Sequence, residues 1–272
     1  MILTQQSLYR SERMFTTGDK PILVTCSDMS DWVCKHGRLY PSVLFSEVIG
    51  STFAELWDLK TPKISFVNVH TDHLPNEYLN IVQPAFFNKP CFGSLFIEES
   101  QVLDKTLLPS FKNQTFRSKI VNKEDLLKIA LFDIWLGNED RHHANSNLLL
   151  DQTLPNKYYF NVFDHGAIFN SNTLIHGLQL ISDNESIICS DFAQILFRKG
   201  KTLTKIVDNV VKDFYLCTLE CEAQLSTILV DIPAEWRLDL PSLEVLIRNN
   251  LFTANWKSDC ENHFRALIQA NI

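Results

Sequence analysis

The hydropathy pattern of this chain changes period once, and that change limits the fold more than any other feature of the sequence. Up to about residue 100, apolar residues come in short runs: KPILVTCS (20–27), WVCK (32–35), KISFVNVH (63–70) and LNIVQPAFF (79–87). β-Branched and aromatic runs bounded by turn residues read as strands, and SDMSD (27–31) reads as the loop of a hairpin between the first two. One segment interrupts them. PSVLFSEVIGSTFAELWDL (41–59) has apolar residues at 44, 45, 48, 49, 53, 56 and 57 behind Pro41, which is the spacing and the start of a helix. From about 190 to the end the period is helical, as in AQILFRKGKTLTKIVDNVVKDFY and PSLEVLIRNN. The expected class is α+β: a small antiparallel sheet, ordered β-β-α-β-β, followed by a mostly helical part.

A polar, lysine-containing stretch at 98–123 separates the two halves. KEDLLKIALFDIWL (123–136) then predicts a helix, with Asn122 and Asp125 in a capping arrangement at its start. Two short strands follow, SNLLL (146–150) and KYYFNVF (157–163), joined by the turn DQTLPN (151–156). With 272 residues, 45% of them hydrophobic and 19 of them Phe, the chain has enough apolar mass for a substantial core. It lacks a run of about 18 apolar residues, and its N-terminus turns polar at once, so neither a membrane span nor a signal peptide is expected. The expected setting is cytoplasmic. A net charge of −7 argues against nucleic-acid binding, and the basic residues of 198–205 read as a solvated face. The seven cysteines lack paired spacing and read as reduced thiols; Cys217 and Cys221 share a helix face without the second pair that zinc needs.

The chemistry concentrates in GNEDRHHANSN (137–147), between the helix and the hairpin, and in FDHG (163–166), at the hairpin's far end. An antiparallel hairpin brings Asn145, before its first strand, close to Asp164, after its second. A carboxylate and a carboxamide make an oxygen-rich site suited to Mg²⁺ with phosphates. Asp140, just upstream, is placed to orient a hydroxyl and accept its proton, as phosphoryl transfer requires. Lys35 ends a strand and Glu47 lies on the inward face of the next helix with Val43, Gly50 and Ala54; a buried carboxylate needs a partner, and Lys35 is the nearest cation in sequence. The blander readings are an exposed salt-bridged turn for Asp140 and Arg141, and a surface lysine for Lys35. His142 and His143 lack a third ligand at metal-binding spacing. Asp133 shares a face with Leu126, Ile129 and Ala130 and is expected to be buried, supporting the backbone of the following loop; Asn138 reads as a loop residue.

DRHHAN (140–145) with FDHG (163–166) resembles the D-x-x-x-x-N…D pattern of the HipA-like kinases, and D-R-H-x-x-N…D-x-G is also similar to the phosphoinositide kinases. The resemblance implies a two-lobed protein-kinase-like fold, with an N-lobe at 1–100 and a C-lobe at 101–272, in a compact form without HipA's N-terminal extension. It implies ATP and Mg²⁺ as cofactors. Asp140 would be the catalytic base, His142 would assist, and Asn145 and Asp164 would hold the metal. Lys35 would contact the α- and β-phosphates, Glu47 would brace Lys35, and TTGDK (16–20), with Thr17 and a turn at Gly18, would cover the phosphates. The adenine-contacting hinge would lie near CFGSLF (91–96). The acceptor would be a protein Ser or Thr hydroxyl, and a toxin-type role would bring an antitoxin-type protein partner. Three rivals stand beside this: a small-molecule or lipid kinase, which a basic concave acceptor site in the helical part would favour; a non-catalytic nucleotide-binding module; and autophosphorylation at Thr16 or Thr17.

Overall fold

The computed structural model describes residues 1–9, 15, 18–74 and 76–272. Five strands, β1 (Thr4–Tyr9), β2 (Ile22–Cys26), β3 (Asp31–Lys35), β4 (Ile64–Asn68) and β5 (Cys91–Leu95), close a barrel in the order β1-β2-β3-β5-β4. The sheet is not wholly antiparallel as expected, because β1 closes the barrel by pairing parallel with β4. β1 escapes sequence reading because the positions it buries are polar, Gln5 and Ser7. The expected strand at 79–87 does not form. Pro84 cannot donate to a ladder, and it instead opens a 3₁₀ turn, Pro84–Phe87, after the short helix α2 (Asn76–Leu79). The final barrel strand is β5, where Gly93 lies so close to Val67 that a Cβ would approach its Cγ2 to 2.5 Å.

Helix α1 (Pro41–Leu56) connects β3 to β4. The stretch after the barrel holds more than a polar linker. It contains β6 (Ser100–Val102), α3 (Leu108–Lys112) and α4 (Gln114–Arg117), and leads into α5 (Asp125–Leu136). β6 pairs with β7 (Leu148–Leu154), which pairs with β8 (Lys157–Val162), so the expected hairpin is part of a three-stranded antiparallel sheet. Its first strand runs four residues further than the sequence indicates, leaving a tight turn at 155–156 with Asn156 at φ 60°. Asn122 does not cap α5; its carboxamide oxygen accepts from the Phe160 amide (2.8 Å) and so ties the helix start to β8.

Beyond β8 comes α6 (Ile168–Asn172), and then α7 (Asp191–Leu196), the 30-residue α8 (Lys201–Val230), α9 (Leu240–Leu251) and α10 (Ala254–Asn271) form the helical end that the period predicts from about 190. α6 is unusual: Phe169, Asn170, Ser171 and Asn172 all have φ between 49° and 68°, a left-handed turn. α1 buries its aromatic face against the helices. Trp57 meets Phe132, Trp135 and Phe214 at centroid distances of 5.0, 5.5 and 5.7 Å, and Phe53 stacks on Trp135 at 5.6 Å. A separate cluster, including Val24, Cys34, Val67 and Cys91, fills the barrel. All seven cysteines are free, and no helix among the described residues is long and apolar enough to cross a membrane.

Candidate active site

The site begins where α5 stops. Gly137 takes φ 60°, ψ 47°, a left-handed cap that costs glycine little, and the Asn138 amide donates back to the Asp133 carbonyl (2.9 Å). The chain then doubles back and buries Arg141 completely. Its guanidinium pairs with the Asp133 carboxylate and donates to the carbonyls of Phe163 (2.7 Å) and Asp164 (3.3 Å). Arg141 is thus no exposed turn residue: it pins the loop carrying Asp140 to the one carrying Asp164. The Asp133 carboxylate bonds side chains of the loop rather than its backbone, those of Arg141 and of buried Asn138 through Nδ2 (2.9 Å). Burial pushes the Asp133 carboxyl up to about 6, against the pull of Arg141. Removing either partner would strand a buried charge.

Asp140 is held by the same loop. Its Oδ2 accepts from Asn147 Nδ2 (3.0 Å), and its carbonyl accepts from Asn145 Nδ2 (3.1 Å), while among the described residues none donates to the Asn145 carboxamide oxygen. Asn145 and His142 pair through their backbones, at 2.8 and 3.1 Å. Because Leu148 stands opposite Val162 in the hairpin, the ends of both strands lie side by side, and Phe163 N reaches the Asn147 carbonyl (3.3 Å). Asp164 sits at φ 59°, a left-handed conformation that short polar side chains tolerate.

Lys35 comes from the barrel. Its Nζ lies 2.6 Å from Glu47 Oε1, 2.7 Å from Asp164 Oδ1 and 3.4 Å from Asp19 Oδ2. Glu47, 1% exposed, accepts the His165 amide on its other oxygen (3.0 Å). Burial drives the Glu47 carboxyl up to about 7 while Lys35 opposes it. For Asp164, burial alone would raise the carboxyl, but the Lys35 ammonium outweighs it and holds it below the usual range. Burial pulls the Lys35 ammonium down, but its two carboxylates raise it above its ordinary value, so it stays charged.

One cleft of about 470 Å³ collects Gly18, Lys35, Glu47, Asp140, Asn145 and Asp164. His142 is not among its walls; it faces an adjoining groove of about 350 Å³ with His143 and Ser190. Among the described residues of the phosphate-loop stretch, the left-handed one is Lys20, at φ 50°, rather than Gly18. Thr16 and Thr17 lie outside the described residues. Cys91–Leu95 is strand, and the cleft is lined at that edge by Phe92 and by Ser94 to Ile97, which overlaps the segment where the hinge was expected. Among the described residues no three His, Cys, Asp or Glu side chains cluster to hold a metal.

A family model for HipA-like kinases matches residues 10–265. The chain belongs to the HipA-like kinase family. Among solved structures it is similar to the Helicobacter pylori proinflammatory kinase CtkA, at 13% identity and a TM-score of 0.57, with both chains covered in full. It is also similar to HipA from Shewanella oneidensis, solved with HipB and operator DNA, at 11% identity and a TM-score of 0.42, covering 97% of this chain and 65% of that one. The CtkA likeness shows a kinase fold. A search of curated proteins returns no match.

Sequence reasoning on this HipA-like kinase missed three positions around the cleft. Asn147 holds the Asp140 carboxylate, and its only sequence signal was a second asparagine in the same loop. His165 is fully buried beside Gly50, where a Cβ would fall 2.3 Å from its own Cβ, and burial drives its imidazole well below the ordinary range. Glu139 accepts from Asn170 (3.1 Å) and Ser171 (2.8 Å), clasping the left-handed turn; nothing in the hydropathy pattern marks it.

Proposed function

We propose that this HipA-like kinase transfers the γ-phosphoryl group of ATP, with Mg²⁺, to a Ser or Thr hydroxyl of a protein. The nucleotide lies between an N-lobe at 1–100 and a C-lobe at 101–272. The observation that carries the reading is the position of Lys35 Nζ, within 2.7 Å of both Glu47 and Asp164 in the cleft that also holds Asp140 and Asn145. Kinase chemistry asks for that set: a braced lysine for phosphate oxygens, oxygen donors for a divalent cation, and a carboxylate for the hydroxyl.

The donor set fits Mg²⁺, since Asp164 and Asn145 offer hard oxygen ligands and, among the described residues, no thiolate or imidazole lines the cleft with them. When bound, Mg²⁺ neutralises phosphate charge and aligns the terminal phosphoryl group. Lys35 exchanges part of its carboxylate contact for phosphate oxygens, and Glu47 keeps its ammonium aimed into the cleft. Asp140, steadied by Asn147, accepts the hydroxyl proton. Arg141 keeps Asp140 and Asp164 in register by binding both loops. His142 faces the adjoining groove and contributes there, beside the entering acceptor. The cytoplasmic setting and an antitoxin-type partner belong to the same reading, on the strength of family membership.

The test uses γ-labelled ATP, Mg²⁺ and dephosphorylated casein as a general protein acceptor. Wild type labels Ser or Thr. Asp140→Ala loses on the order of 10²-fold or more in transfer rate while its melting temperature still rises with Mg-ATP. Undiminished transfer by Asp140→Ala would end the assignment of the base.

A further inference from the structure

Three of the basic residues of 198–205, Arg198, Lys199 and Lys201, which read in sequence as a solvated face, form one wall of a groove. The groove has a volume of about 610 Å³ and lies where α7 meets α8. Its lining carries five cations, Arg117, Lys123, Arg198, Lys199 and Lys201, against the single carboxylate Glu124. The lining thus has an excess of four positive charges on a chain of net −7, a local basic patch able to attract acidic groups. Lys123, Arg198, Lys199 and Lys201 are exposed, and among the described residues none of the five cations pairs with a carboxylate. Arg117 instead donates to the carbonyls of Phe111 (2.6 Å) and Lys112 (2.9 Å), which holds it in place. Beneath the cations the floor is apolar, with Phe197 and Leu203 buried and Ile206 half-buried.

Position gives the groove its meaning. The smaller groove beside the catalytic loop is lined by His142, His143, Ser190 and Phe192, and the basic groove takes up Ile195, Leu196 and Arg198. α7, six residues long, runs from one to the other, a distance of about 9 Å at 1.5 Å per residue. An extended peptide covers that span in about three residues. A segment lying in the groove beside His142 therefore reaches the basic groove within a few residues.

We propose that this groove docks an acidic segment of the protein substrate, so that the kinase selects Ser or Thr hydroxyls with Glu or Asp a few residues away. The proposal deepens the kinase reading and rests on it. An apolar floor under a basic rim suits a polypeptide, which brings carboxylates and aliphatic side chains together. A small phosphorylated acceptor held there would be separated by the length of α7 from the groove beside the catalytic loop.

The probe is a fluorescent Ser-containing peptide with four Glu residues starting four positions from the Ser, made in both directions, with Gln-for-Glu controls. Binding is read by anisotropy with Arg198→Glu/Lys199→Glu and with Lys89→Glu/Lys212→Glu, an exposed pair elsewhere that changes net charge equally. Wild type and the distant pair are expected to bind a Glu peptide within twofold of each other. The groove variant should lose at least tenfold, and the Gln peptides should bind at least tenfold more weakly than the Glu peptide. Equal binding by the two variants, or no binding of either Glu peptide to wild type, overturns the docking site. So does stronger displacement by single-stranded DNA or by inositol hexakisphosphate than by unlabelled Glu peptide, which would assign the groove to nucleic acid or to a phosphorylated small molecule. Binding needs no ATP, so a failure of the kinase reading shows separately, as loss of Mg-ATP stabilisation in a protein that still binds the peptide.

Discussion

His165 lies between α1 and Phe132, with its ring 6.0 Å from that of Phe132, and neither ring nitrogen finds a hydrogen-bond partner among the described residues. Burial is the main cause of its lowered pKa, aided by Arg141 and Lys35 and opposed by Asp164. An unfolded chain takes up a proton there near pH 6.5 and the folded protein does not until well below, so this group makes stability fall as pH drops through 6.5. One such proton is worth up to about 1.4 kcal/mol per pH unit. Asp133 acts in the opposite sense below about 6, because its folded carboxyl protonates first. The test is therefore a difference: between pH 7 and 5, His165→Phe should lose less stability than wild type by about 2 kcal/mol in urea unfolding. Parallel pH profiles would mean that His165 is protonated in the fold. At this scale the sequence was legible where chemistry dictates residue type, as with Asp140, Asn145, Asp164, Lys35 and Glu47, which share one cleft. It was opaque for Arg141, because a loop has no period and nothing local says that a guanidinium will be buried under two strands' ends.

Elements were legible wherever burial imposes a period. α1 and α5 lie close to where their apolar spacing puts them, and so do β2, β3 and β4. β1 buries glutamine and serine and so carries no apolar alternation, and its parallel pairing with β4 depends on a partner about 60 residues away. The left-handed turn at α6 was equally hidden. Its cost, about 1–2 kcal/mol per residue, is offset by side-chain bonds from Asn170 and Ser171 to Glu139 and between Asn172 and Ser46 (2.7 Å), all from other segments. Gly50 gives the element-scale prediction. Glycine to alanine inside a helix ordinarily gains about 1 kcal/mol, but here the new methyl would overlap the His165 ring. Gly50→Ala is expected to lower stability by about 1–3 kcal/mol, measured by thermal or urea unfolding; a gain would mean that α1 and the Asp164 loop are not in close contact.

Across the whole molecule, α1 links the barrel to the helices, holding Glu47 under Lys35 at one point and Phe53 and Trp57 inside the helical core further along. A fragment of residues 101–272 would lack both aromatics, and losing a buried aromatic side chain costs about 3–5 kcal/mol. Two such losses rival the 5–15 kcal/mol stability of an ordinary domain. The fragment is expected to show no cooperative thermal transition, and a sharp one would mean that the helical part completes its core without α1. The same linkage fixes the Lys35–Glu47 pair to the scaffold that carries Asp140. The most direct measurement is thermal unfolding of wild type and Asp164→Ala with ATP, with and without Mg²⁺. Ligand at about 100 times its dissociation constant adds about 2.7 kcal/mol, a rise on the order of 5 °C for a chain of this size. The account predicts that rise for wild type with Mg-ATP, little of it without Mg²⁺, and none in Asp164→Ala. A folded wild type that gains nothing from Mg-ATP would contradict it.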